Sequence, residues 1–133
     1  MNNRHPKLFI RNERGQTLTE FALVLPLLAL LLFGVIQFGI VFNHYVTLTD
    51  AVRAGARKGS VARLLPSPVA ETAAAVRGSA ADLDQAQLNV SVASTFAAGE
   101  DVTVSATYPY SISLLGVVVK SGQLSSVTTE RVE

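Results

Sequence analysis

The sequence predicts an α+β protein in which one long, hydrophobic N-terminal helix crosses a membrane and continues into a small head. That head holds a short second helix and a roughly three-stranded antiparallel sheet. Three observations carry the prediction. An uncharged apolar run fills residues 21–42; Pro66 and Pro68 interrupt the helical pattern further on; and after about Leu88 the apolar spacing falls to two.

The first element is the apolar run. From residue 21 to 42 only Gln37 is strongly polar, and a helix of that length spans about 33 Å, close to the hydrocarbon thickness of a bilayer. A secretory signal peptide would have a shorter apolar core and a small-residue cleavage site, whereas here Asn43, His44 and Tyr45 follow. The run is therefore read as a retained membrane helix. Pro26 lacks the amide donor and crowds the carbonyl of Ala22, so a bend is expected there; it is read equally as a joint that lets the helix change shape or as an ordinary kink. The helix is expected to continue to about Leu65, with residues 16–65 as one unit. Its outer part mixes Leu48 and Val52 with Ala51, Ala54, Gly55, Ala56 and Gly59, a surface another element could approach closely.

Ser67 followed by Pro68 suits the N-cap and first turn of a second helix, over about residues 68–77 with Gly78 at its end. Its alanines bring little apolar area, so it should cover a core more than form one. In LNVSVAS and DVTVSATY the apolar residues Leu88, Val90, Val92, Val102, Val104, Ala106 and Tyr108 alternate with polar ones, giving two half-buried strands. STFAAGE is their connection; Pro109 should end the second strand. Ile112, Leu114, Leu115, Val117, Val118 and Val119 should then complete the small core before a third strand at about residues 123–132. A head of this size without disulfides is marginal alone, so the outer half of the long helix is expected to wall its core.

Composition excludes several functions. With Lys plus Arg 11 against Asp plus Glu 10 in 133 residues, the net charge of +1 offers no footprint for nucleic acid. There is no cysteine, and His5 and His44 lack partner ligands, so no metal site is expected. No nucleophile elbow, phosphate loop or acid–base pair outside the membrane is evident. The expectation is a non-enzyme with no cofactor and no small-molecule substrate.

One constellation remains. Basic residues Arg4, Lys7, Arg11 and Arg14 lead to Gly15, and Glu20 stands alone at the mouth of the apolar run. A cut between Gly15 and Gln16 would expose an α-amine, mostly protonated at neutral pH, four residues before that carboxylate. The ammonium could then face its own Glu20 or that of a staggered neighbour, offsetting a charge that is unfavourable at the edge of the apolar layer. Read plainly, Gly and Glu at this spacing also arise by chance, and Glu20 would then sit among lipid headgroups in an uncut anchor. The leader's charges, against Arg53, Arg57, Lys58 and Arg63 beyond the run, tip the orientation towards an N-terminus inside.

The arrangement of Gly15, Gln16 and Glu20 resembles the processing site of type IV prepilins and pseudopilins. The longer string RGQTLTEFALVLPLLALLLFGVIQFG is similar to the TadE-like proteins of tight-adherence (Tad) pilus systems, with a looser likeness in TDAVRAGARKGS and TTERVE. The resemblance implies a pilin-like protein whose leader, residues 1–15, is removed by a prepilin peptidase, usually with methylation of the new N-terminus. It implies a minor pseudopilin, with other pilins or pseudopilins and inner-membrane lipid as partners. Residues 16–65 would form the rod and 66–133 the head, in the bacterial inner membrane with the N-terminus cytoplasmic and the head outside, the extracellular pilus being a second destination. The alternative is an uncleaved single-pass envelope anchor whose head binds another membrane component.

Overall fold

The structure, a computed structural model, describes residues 13–133, and side chains from Gly15 onward. The leader residues Arg4, His5, Lys7 and Arg11, and the Arg14 side chain, lie outside that range. Helix α1 runs Glu13–Ser60, 48 residues or about 72 Å, with Pro26 inside it. Helix α2 is Pro68–Ser79; strands β1 (Asn89–Ala93), β2 (Asp101–Leu114) and β3 (Val117–Arg131) form one antiparallel sheet in the order β1-β2-β3.

The core lies between the outer part of α1, α2 and one face of the sheet. Leu48, Ala51, Val52 and Ala56 of α1 are fully buried, with Thr72 and Val76 of α2 and Val102, Val104, Ala106 and Tyr108 of β2. As expected, the helix walls the head. The approach of α2 depends on the absence of side chains: a Cβ at Gly55 would overlap Val76 Cγ2, and one at Gly59 would stand 2.9 Å from Val102 Cγ2. Thr72 is buried among these groups, and its hydroxyl has no hydrogen-bond partner.

The chain closes behind the helix. The Glu133 amide donates to the Ser60 carbonyl at 2.9 Å, the Val132 amide donates to the Glu100 carbonyl, and Val132 is buried. The first of these bonds satisfies a carbonyl in the last turn of α1 that has no partner within the helix.

Several boundaries differ from the sequence reading. α1 stops at Ser60, not Leu65; residues 61–66 turn instead, with the Ala62 amide on the Gly59 carbonyl and the Leu65 amide on the Ala62 carbonyl, which carries Ala62 into the core. α2 passes through Gly78 and ends at Ser79. Ser67 occupies the N-cap position but makes no side-chain cap, and its carbonyl takes the Glu71 amide.

The largest correction concerns Pro109. It does not end β2 but pairs with Gln123 in the middle of a long hairpin. β1 reaches only as far as Thr107, so from Tyr108 onward one side of β2 is an open edge, where a missing amide donor leaves no ladder bond unmade. β3 accordingly begins at Val117, six residues earlier than the sequence reading has it. The apolar residues at the far end do not complete the core: Leu115, Val117, Val118 and Val119 are 60–74% exposed, and Ile112 and Leu114 are half-buried. The core is filled from elsewhere, in part by Phe96 of the β1–β2 connection, which turns inward with a positive φ of 54°.

Candidate processing and register site

The sequence-selected residues sit on the first turns of α1. Gln16, Leu18 and Glu20 favour a helix here, against Gly15 and the β-branched Thr17 and Thr19. Gly15 and Gln16 both lie within α1, so the bond between them is inside the helix. The Thr19 hydroxyl donates to the Gly15 carbonyl at 2.9 Å.

The Gln16 side-chain amide donates to Glu20 Oε1 at 3.1 Å, bridging residues four apart on one face. Sequence spacing places a backbone ammonium near Glu20 after cleavage but says nothing of this side-chain amide, whose one signal is the glutamine itself, four residues before the glutamate. Both residues are exposed. A carboxylate has lone pairs for further donors, so the amide does not exhaust Glu20.

Past Glu20 the helix carries large apolar side chains that no other element covers, the Phe38 and Phe42 rings stacking only on each other within the helix. Leu23 is 72% exposed, Leu31 66% and Phe38 66%, and no part of the most apolar window is buried in the protein. Pro26 lies within this stretch and does not interrupt the helix. Asn43, His44 and Tyr45 follow at its outer end, and the His44 ring meets the Tyr108 ring edge-on at 5.4 Å.

Elsewhere the surface offers little chemistry. An open depression between β1 and β2, lined by Asn89, Val90, Ser91, Ser105, Ala106 and Thr107, holds no titratable side chain. Among the described residues no three His, Asp or Glu side chains gather as a metal site requires. Asp50 and Arg53 pair at 3.4 Å on the solvent face, as their spacing predicts.

A single long helix, bare and apolar over its first half and built into a small α+β head over its second, is the one candidate membrane span among the described residues and suggests a membrane anchor. More particularly, residues 15–57 match the family model described as TadE-like protein. The match begins at Gly15, takes in Gln16, Glu20 and Pro26, and ends in the helical wall of the head. No curated protein and no solved structure matches the chain.

Proposed function

We propose that the chain is a minor pseudopilin of a tight-adherence pilus, cut by a prepilin peptidase between Gly15 and Gln16 and then taking part in pilus assembly or priming by helix-to-helix packing. The observation that carries this reading is the geometry at Glu20. A carboxylate at the edge of an apolar rod is already engaged by the residue that cleavage would make N-terminal. After cleavage the new ammonium would stand one turn from Glu20, about 6 Å along the axis. Its charge could satisfy that carboxylate or one on an adjacent rod, and the second arrangement fixes axial register between subunits.

Cleavage demands a local unfolding. A protease binds an extended strand, so the first turn of α1 must open around the Gly15–Gln16 bond. Gly15 eases that step, being about 1 kcal/mol poorer than alanine in a helix, and terminal turns fray readily. On this reading the partners are the peptidase, other pilins or pseudopilins and membrane lipid. The head stands outside the inner membrane, and the chain is a substrate of an enzyme and not an enzyme itself.

The rival is an uncut anchor whose head binds another membrane component. One observation favours it: the residues on both sides of the bond to be cut are helical. Co-expression with and without a prepilin peptidase separates the two. The processed reading expects mature protein starting at Gln16 by mass spectrometry, and a Glu20→Ala variant that is still cleaved but absent from pili. Full-length protein in cells with working pili would refute it.

A further inference from the structure

The β2–β3 hairpin has a direction that matters. β2 runs antiparallel to α1: Val102 lies beside Gly59, and six residues later the Tyr108 ring lies on His44. From Tyr108 the strand continues seven residues to the turn at Leu115, about 23 Å at the usual rise, which equals roughly 15 residues of helix. Twist and tilt shorten the descent, yet even half of it, about 12 Å or eight helical residues, carries the tip past the level of Phe42. The turn therefore points back along the rod to the level of its membrane-spanning part.

What the hairpin carries there fits that place. Residues 112–119 hold no charge, and Leu115, Val117, Val118 and Val119 are 74%, 67%, 60% and 62% exposed. Lys120 follows, long enough to keep its ammonium at the headgroups while its stem lies in apolar surroundings. Tyr110, of a type favoured at membrane interfaces, lies across Gly122 on the facing strand, where an added Cβ would meet its ring at 3.0 Å.

The turn adds an independent sign. Leu114 pairs with Val117, leaving the two-residue loop Leu115–Gly116, with φ of 51° and 84°. Such loops favour Asn-Gly, and a leucine in the left-handed region is strained. A bulky apolar side chain is thus held, against its backbone preference, at the outermost point of the hairpin.

We infer that the hairpin tip, residues 114–119, is a second membrane contact that dips beside α1 into the lipid leaflet on the head's side. The exposed apolar side chains of the tip would then share one leaflet with the bare apolar stretch of the rod. The outer edges of a two-stranded hairpin need water or headgroup partners, which confines the insertion to the tip; a register shift between Ile112 and Ser113 marks off that last part from the body of the sheet. The inference rests on residues 21–42 crossing the membrane, and not on cleavage at Gly15.

Because the chain has no cysteine, single-cysteine variants test it directly. The full chain would be labelled with the fluorophore NBD and reconstituted in phosphatidylethanolamine–phosphatidylglycerol vesicles with iodide on both sides. Phe33→Cys reports the rod, Val127→Cys the body of the sheet, and Leu115→Cys and Val118→Cys the tip. The expected result is a blue shift and loss of iodide quenching at Leu115 and Val118, as at Phe33, with Val127 still quenched. Quenching at the tip with Phe33 protected overturns the tip contact and leaves the anchor standing; protection at the tip that disappears on diluting protein in lipid assigns it to a second copy and overturns it equally. A quenched Phe33 removes both.

Discussion

The two halves of α1 are one unbroken helix built for two different surroundings. Residues 21–42 carry leucine, phenylalanine, valine and isoleucine around the whole circumference, and their side chains point into open space. Residues 48–59 carry small residues on one face and charges on the other: Ala51, Gly55, Ala56 and Gly59 are buried, while Arg53 and Arg57 are exposed. Bulk on every side suits a solvent of hydrocarbon chains, which conforms to any shape. Smallness on one side suits a fixed protein surface, where α2 and β2 must come close. The contrast shows that the half that meets its own chain differs in two ways from the half that is bare: charges on its exposed face, and small residues where α2 and β2 approach.

Identical substitutions in the two halves can break this contrast. Leu48→Ala empties a fully buried site and is expected to lose about 2–5 kcal/mol of head stability, read by thermal unfolding in detergent, while Leu31→Ala leaves that transition unmoved. Equal effects would mean the halves share one environment. Adding volume should act in the same sense: Gly55→Val forces its side chain into Val76 and should cost about 1–3 kcal/mol, whereas Gly34→Val, with nothing within 4 Å, should leave the head's midpoint unchanged. A smaller gain is expected from Thr72→Val, which keeps the shape and removes an unpaired buried hydroxyl; about 1 kcal/mol, or a rise of several degrees in the melting midpoint, would sharpen the picture of α2 as a dry contact. Least of all, Asp50→Ala removes an ion pair whose side chains are 68% and 62% exposed, and should shift stability by no more than about 0.5 kcal/mol, a change that added salt would hide.

The parts of this fold legible in the sequence are those where one local period decides the environment. The uncharged run at 21–42, the alternation of Val102, Val104, Ala106 and Tyr108, and the small residues at 51–59 each announce a face. The hairpin was not legible because two local rules gave the wrong answer together. Pro109 reads as a strand end unless one knows that β1 stops short and leaves an open edge beside it. Six apolar residues read as core unless one knows which way the strand points, and direction is a property of the assembled sheet. At the candidate site, the spacing from Gly15 to Glu20 was visible, because it is a matter of helix geometry alone. The Gln16 amide on Glu20 is not legible in that spacing, which concerns the backbone nitrogen and not the side chain of the same residue.

That α1 passes from the apolar stretch into the head without interruption has a mechanical consequence. No swivel separates the two, so the azimuth of the head is slaved to the rotation of the rod. One residue inserted between Asn43 and Tyr45 would swing the head by about 100° and lift it about 1.5 Å, whereas seven would restore its bearing to within about 20° while raising it about 10 Å. An insertion series therefore works as a vernier, separating functions that depend on which way the head faces from those that depend on how high it stands.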